Sequence, residues 1–197
     1  MKKIIGITGG ISSGKTTVCN AIANKGYRII DCDKINRDLS KIGMPIYKAI
    51  IDTFGNDYLL DNNEIDRKKL GSLIFNNNEA KLKLNEITHP LILSEMKRQI
   101  SLINDRLVFV EIPLLYEAKL ENICDYVICV YLNKRQQLQR LMQRENIDEA
   151  YAMAKINSQM NLELKKELAD FVIDTKGDLA DTINQTEEII NKLEGDK

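Results

Sequence analysis

Short, almost continuous apolar runs alternate with longer stretches in which apolar residues recur at helical spacing. The runs at residues 4–7, 27–30, 107–110, 126–131 and 171–173 have the character of buried strands. Buried strands separated by helices form parallel sheets that are covered on both faces. The pattern therefore predicts an α/β, three-layer fold with a parallel five-stranded sheet.

The second and third strands are separated by about 75 residues with helical periodicity and no strong strand, which is too long for a single crossover helix. Pro45 is placed to open a helix at 45–54, and Asp66 to cap one that ends near residue 75. A longer helix is expected at 79–102, interrupted or bent near Pro90. These signals predict an inserted helical subdomain over residues 34–104.

Residues 9–16 fit the pattern G-x-x-x-x-G-K-[ST], and they lie between the first predicted strand and a helix predicted at 17–24. Glycines allow the backbone to curl around an anion, and the helix that follows directs the positive end of its dipole towards it. A Gly/Ser-rich turn with an unrelated lysine is the alternative, but strand, loop and helix occur in the order that a phosphate-binding P-loop requires. The residues predicted to bind ATP are Ser12, Ser13, Gly14, Lys15, Thr16 and Thr17, with Lys15 at the phosphates and Thr16 as a ligand of Mg²⁺.

Two aspartates follow the second predicted strand, at the edge where open α/β sheets bind ligands. Asp33 is the candidate for the group that accepts the proton of an acceptor hydroxyl or orients its oxygen. Asp31 is a candidate to support it or to reach the metal through water. The alternative is that Asp33 only caps a helix that begins near Lys34.

A second helical region covers residues 134–168. Arg140 and Arg144 are four residues apart and share a helix face. The region is either a solvated surface helix or a lid that brings guanidinium groups to the transferred phosphoryl group, a role that suits the planar, always charged arginine side chain.

Composition and charge limit the classes of partner. Basic and acidic residues number 28 and 29, so no positive excess points to nucleic acid. The apolar run after Lys2 and Lys3 is short for a signal peptide, and no stretch approaches membrane-spanning length. We expect a cytoplasmic monomer without nucleic-acid or membrane partners. The four cysteines show no C-x-x-C spacing, which argues against a zinc site or a disulfide framework.

Taken together, the motifs resemble those of the dephospho-coenzyme A kinase family over nearly the whole chain. The P-loop is generic, whereas the later motifs are selective: Asp31-Cys32-Asp33, His89-Pro90, Pro113-Leu114-Leu115-Tyr116-Glu117 and Ala169-Asp170-Phe171-Val172-Ile173. The resemblance implies transfer of the ATP γ-phosphoryl group to the 3′-hydroxyl of dephospho-coenzyme A, the last step of coenzyme A synthesis. It implies a nucleotide core formed by 1–33, 105–133 and 169–197, an acceptor-binding subdomain at 34–104 and a lid at 134–168.

Carried to matching positions, the resemblance implies catalytic roles for three residues: Asp33 as base, Lys15 at the phosphates and Arg140 as the phosphate contact of the lid. It implies acceptor binding by Asp33, His89 and Glu117. From the residues alone, His89 is equally open to a structural role, and Glu111 is open either to holding Mg²⁺ through water or to meeting solvent.

Two positions depart from the family pattern. Ser12 stands where a glycine is usual, so a positive φ there would strain the loop. Thr175 and Lys176 stand where the family commonly has an asparagine that helps to hold the adenine.

Two rival functions remain open from the residues. One is another small-molecule P-loop kinase, of the nucleoside monophosphate or shikimate type, and the other is an ATP-binding regulator without turnover. A guanine-nucleotide switch is disfavoured, because Gln136 stands where its Asn-Lys-x-Asp motif requires aspartate.

Overall fold

The computed structural model describes residues 2–195. In chain order the elements are β1 (Lys3–Gly9), α1 (Lys15–Asn24), β2 (Ile29–Asp31), α2 (Cys32–Leu39), α3 (Pro45–Phe54), α4 (Arg67–Asn76), α5 (Asn78–Leu102), β3 (Leu107–Glu111), β4 (Tyr126–Tyr131), α6 (Lys134–Glu145), α7 (Glu149–Asn157), α8 (Leu162–Leu168), β5 (Phe171–Asp174) and α9 (Leu179–Gly195).

The strands form one five-stranded parallel sheet in the order β2-β3-β1-β4-β5. The central strand β1 pairs with β3 on one side and β4 on the other, so that Ile5 is in register with both Phe109 and Tyr126. The predicted fold class is confirmed.

The core of the sheet explains why the strand sequences are so apolar. Ile5, Ile7, Phe109 and Ile128 are completely buried, as expected for strands covered on both faces. One side of α1 and the C-terminal helix α9 join the same core through Ile22 and further aliphatic side chains.

The chain divides into two compact units, one formed by residues 1–30 and 103–197 and the other by Asp31–Leu102. The second unit is helical and has its own core, built around Ile46, Tyr47 and Ile50 of α3. Its bounds lie within three residues of the predicted insertion at 34–104. The segment at 134–168 belongs to the first unit.

Within the second unit, two helix predictions are confirmed, and the third helix forms without the interruption that was one of its two predicted forms. The helix α3 runs from Pro45 to Phe54, and Asp66 caps α4 by accepting from the N–H groups of Lys68 and Lys69. However, α5 continues through Pro90 without interruption. A proline removes one hydrogen bond of the helix, and the 25 residues of α5, which bury Met96 and Ile100, tolerate that loss.

The cysteines are free thiols. Burial raises the pKa of Cys124 to about 12 and that of Cys129 to about 11, so both are protonated at neutral pH.

Within residues 2–195, no helix is long and apolar enough to cross a membrane.

Candidate functional site

The loop between β1 and α1 is held in a conformation that an anion-binding loop needs. Gly14 caps α1 with φ 96°, a left-handed value that favours glycine. A Cβ added there would also lie 3.2 Å from the methyl group of Thr175. Ser12 is left-handed too, with φ 57°, so the strain expected at this position is present.

The loop carries two polar groups that its surroundings leave unsatisfied. The hydroxyl oxygens of Ser12 and Ser13 are buried and have no hydrogen-bond partner among the described residues. Buried polar groups are normally hydrogen-bonded. Both hydroxyls lie inside the loop, so the groups that the loop offers to a phosphate are the backbone N–H groups at the positive end of α1.

Lys15 lies over this loop, where its ammonium group donates to the carbonyl oxygens of Gly10 at 2.8 Å and Gly9 at 3.3 Å. Thr16, the next residue of the first turn of α1, is exposed. The loop thus presents a cation and a hydroxyl side by side at the start of the helix.

Glu111, the last residue of β3, is beside the same helix. Its Oε2 accepts from the thiol of Cys19 at 3.5 Å, and Cys19 is three residues after Thr16. Residues 2–195 contain no cluster of three His, Cys, Asp or Glu side chains that could cage a metal ion. Mg²⁺, however, usually keeps several waters and takes few protein ligands beside substrate phosphates, so Thr16 and Glu111 fit it.

Arg140, on α6, contacts the segment after β5. Its guanidinium donates to the carbonyl oxygen of Thr175 at 2.8 Å and to Oγ1 at 3.3 Å, while Thr175 Oγ1 donates to Ser13 O at 2.7 Å. Arg140 and the P-loop are thereby connected through one threonine. Next to these contacts is a cavity of about 240 Å³, lined by Gly14, Thr17, Arg140, Thr175, Gly177, Asp178, Leu179 and Thr182.

Glu117 lies in an ion pair that the sequence did not reveal. Its Oε1 accepts from Lys165 at 2.8 Å and from the N–H of Met160 at 2.9 Å. Lys165 is completely buried and also donates to Pro113 O at 3.0 Å. One feature of the sequence could have revealed that Lys165 is buried. It is three residues after Leu162 and shares its face of α8, where an apolar residue is expected. Substrate binding by Glu117 stays a prediction.

Asp31, Asp33 and His89 belong to the second unit. Asp31 caps α2 by accepting from Lys34 N at 2.9 Å and also pairs with Arg37 at 3.3 Å. The idea that Asp33 is the helix cap is therefore wrong, because α2 begins two residues before Lys34 and uses Asp31. Asp33 lies exposed in the first turn of α2.

His89 lies exposed in the middle of α5. Partial burial of its ring lowers its pKa, so the side chain is neutral at pH 7. It can accept a hydrogen bond there but carries no charge to offer a phosphate.

A P-loop with its lysine and hydroxyl residues, at the edge of a parallel sheet covered by helices, is the site of a P-loop nucleotide-binding protein, and the structural neighbours of this fold are P-loop kinases. The sequence profile of the dephospho-CoA kinases matches residues 3–181. A dephospho-CoA kinase of Carboxydothermus hydrogenoformans is 43% identical over 192 residues, which cover 96% of this chain and 93% of the relative. The chain belongs to the dephospho-CoA kinase family.

Solved structures agree with this assignment. Dephospho-CoA kinase from Campylobacter jejuni superimposes with a TM-score of 0.73 at 32% identity, covering all of both chains. A structure from Thermus thermophilus reaches a TM-score of 0.86 at 27% identity, covering 98% of each chain. The family resemblance is confirmed, and the chain is an ATP-dependent kinase that acts on a hydroxyl group. The two rival functions are set aside.

Proposed function

We propose that the chain transfers the γ-phosphoryl group of ATP to the 3′-hydroxyl of the ribose of dephospho-coenzyme A, giving coenzyme A and ADP. The observation that carries the proposal is the P-loop at the start of α1, with a left-handed Gly14 at the cap and Lys15 and Thr16 in the first turn, in a chain of this family. The oxygen of the hydroxyl forms the new bond to phosphorus, the bond from the γ-phosphorus to the bridging oxygen breaks, and ADP leaves with that oxygen.

The phosphates of ATP are held by the P-loop, from Ser12 to Thr17. On binding, Lys15 exchanges the carbonyl oxygens of Gly9 and Gly10 for phosphate oxygens. Phosphoryl transfer depends mainly on positioning and on neutralising negative charge, and a lysine on the first turn of α1 supplies both.

The hydroxyl of Thr16 and, through water, the carboxylate of Glu111 would hold Mg²⁺. The ion would there supply positive charge to offset that of the phosphates. The protein's own part is to keep both oxygens next to the loop, which the Cys19 contact to Glu111 supports.

Arg140 is the phosphate contact of the lid. Its guanidinium group donates to Thr175. Phosphate oxygens compete well with Thr175 for these donors because they bear negative charge. The cavity of about 240 Å³ between Thr17, Arg140 and Gly177 receives the adenine. We assign the lid to residues 134–168 and the nucleotide core to 1–33, 105–133 and 169–197.

Asp33 accepts the proton of the 3′-hydroxyl, or orients it, as the oxygen attacks. Support comes from its place in the chain, because Asp33 is exposed in the first turn of α2, two residues after the end of β2. Residues 34–104 bind the acceptor, and His89 contributes as a neutral hydrogen-bonding group. A monomeric state, a cytoplasmic location and the lack of nucleic-acid partners remain predictions from the sequence.

The experiment compares four reactions of the purified protein with Mg²⁺-ATP. They contain dephospho-coenzyme A, a nucleoside monophosphate, shikimate or no acceptor. ADP release is followed in each. We expect release to depend on dephospho-coenzyme A. The proposal fails if release is no faster with dephospho-coenzyme A than without an acceptor.

A further inference from the structure

Two glutamines hold both polar backbone groups of one P-loop residue. The N–H of Ile11 donates to Gln159 Oε1 at 3.0 Å, and the carbonyl oxygen of Ile11 accepts from Gln137 Nε2 at 2.8 Å. Gln137 lies on α6 and is only 2% exposed. Gln159 lies in the turn between α7 and α8. Both therefore come from the segment at 134–168.

The fit around Gln137 is tight. A Cβ added to Gly10 would lie 2.1 Å from Gln137 Nε2 and 3.1 Å from Leu162 Cδ2. The amide thus occupies the space that a side chain at position 10 would need. Glycine is therefore required at this position for space as well as for loop flexibility.

The peptide unit before Ile11 links Gln159 to Lys15. A planar trans peptide directs its N–H and C=O to opposite sides. When Gln159 holds the N–H of Ile11, the carbonyl of Gly10 faces the other way, where it accepts from Lys15 Nζ at 2.8 Å and from Ser13 N at 3.3 Å. Gln159 therefore helps to orient the carbonyl group of Gly10, to which Lys15 donates.

The peptide unit after Ile11 links Gln137 to Ser12. Because Gln137 holds the carbonyl oxygen of Ile11, the N–H of Ser12 in the same plane is directed away from Gln137. Ser12 is the left-handed residue, with φ 57°, and such a conformation persists only where surrounding contacts enforce it. Gln137 is such a contact.

We propose that Gln137 and Gln159 are positioning residues for phosphoryl transfer, which fix two successive peptide planes of the P-loop and so set its phosphate-binding groups. The inference rests on the proposed function, because it assigns these residues to the loop that binds the phosphates. The segment at 134–168 then acts on the nucleotide in two ways, through Arg140 and through the backbone of the loop.

The first experiment compares ADP with adenosine as ligands of Gln137→Met and Gln159→Met, using ligand-observed NMR. Each variant is expected to bind ADP about threefold to tenfold more weakly, the loss typical of one hydrogen bond, while adenosine binding stays within about twofold. Gln139→Met is the matched control, since Gln139 is an exposed residue of α6, and it should leave both ligands unaffected. Unchanged ADP binding in both glutamine variants, or equal losses for the two ligands, would overturn the inference.

A second pair of variants keeps the inference testable if the methionine variants fold poorly. Gln159→Glu retains an oxygen that accepts from Ile11 N–H, whereas Gln137→Glu loses the donor and sets a carboxylate against the carbonyl oxygen of Ile11. Both add one negative charge, so ADP binding should be weakened more in Gln137→Glu. The opposite order contradicts the inference. If the unaltered protein itself neither binds ADP nor turns over, the proposed function fails instead.

Discussion

Ser12 has a conformation that disfavours its own side chain. A residue with a Cβ in the left-handed region costs about 1–2 kcal/mol relative to the right-handed one, and Ser12 has φ 57°. Its hydroxyl is buried without a partner in the described part of the chain. Such costs are tolerated where surrounding contacts enforce the conformation of a loop.

Ser12→Gly should raise the free energy of unfolding by up to about 1 kcal/mol, because glycine adopts this φ without strain. Ser12→Ala keeps the Cβ and loses only the hydroxyl, so it serves as the control. Urea unfolding of the ligand-free proteins measures both. A glycine variant no more stable than the alanine variant would show that the backbone is not strained.

Asp33→Asn should lower turnover by roughly two orders of magnitude or more if Asp33 accepts the proton, while ATP affinity stays nearly unchanged. Steady-state kinetics with dephospho-coenzyme A, together with nucleotide binding, separate the two quantities. Asp31→Asn is the informative comparison, because asparagine can still cap α2 while one negative charge is removed two residues from Asp33. Near-normal turnover of Asp33→Asn would remove Asp33 from the chemistry.

The phosphate-binding part of the candidate site could be predicted from the sequence because its residues are contiguous and their spacing is dictated by the phosphates. Lys165 could not, since it looks like an ordinary charged residue of α8 and its partner Glu117 is 48 positions earlier. Helix capping was considered only for Asp33, as the alternative to a catalytic role, and not for Asp31, because the sequence pattern does not resolve a helix start to within two residues.

At the scale of elements, side chains that join one helix to its neighbours decide what a substitution costs. The helix α8 is joined to the segment after β3 by the ion pair of Lys165 with Glu117. The two partners differ in exposure, at 0% for the lysine side chain and 24% for the glutamate side chain. A charge left alone is costly in proportion to how deeply it is buried.

Glu117→Gln should therefore destabilise the protein by about 2–4 kcal/mol, since it leaves the buried ammonium of Lys165 without its counter-charge. Lys165→Met should cost less, about 1 kcal/mol, because the remaining carboxylate reaches water. Chemical unfolding measures both, and the double variant should resemble Lys165→Met. A greater loss for Lys165→Met than for Glu117→Gln would contradict this account.

Glu95 on α5 gives a prediction for pH. Its carboxylate accepts two hydrogen bonds from Arg98 at 2.7 Å and one from Gln99 at 2.9 Å, and these lower its pKa to about 2. Since the folded protein then binds this proton less tightly than the unfolded chain does, the stabilisation is complete from about one pH unit above the ordinary pKa of 4.5 and decreases as the pH falls through that value towards 2.

Glu95→Gln should remove that dependence. The difference in stability between the unaltered protein and the variant should be small, below about 1 kcal/mol at this exposed site. It should be constant above about pH 5.5 and shrink between pH 5 and 3. Urea midpoints across this range measure the difference, and a difference that does not change with pH would contradict the lowered pKa.

Element positions followed from the sequence where local chemistry and burial agree. Pro45 at the first position of α3 and Asp66 at the cap of α4 act locally, so both were predicted correctly. The second strand was expected at 27–30 and lies at Ile29–Asp31. The apolar ring of Tyr27 contributes to the core beside Phe109 from outside the strand, so its hydrophobicity did not mark the strand itself.

At the scale of the whole molecule, the chain comprises two compact units with separate cores. The first contains the P-loop, Arg140 and the cavity proposed for adenine, and therefore the groups proposed to bind ATP. The second contains Asp33 and His89, the groups proposed to act on the acceptor. The sequence indicated this division because apolar strands stop at residue 30 and resume at residue 107.

The central claim is that the chain phosphorylates the 3′-hydroxyl of dephospho-coenzyme A. The most direct measurement is product analysis by mass spectrometry and phosphorus NMR after reaction of the purified protein with Mg²⁺-ATP and dephospho-coenzyme A. We predict equal amounts of ADP and coenzyme A, with the new phosphate as a monoester on the 3′-oxygen of the ribose. ADP without coenzyme A, or a phosphate on another oxygen, would contradict the account.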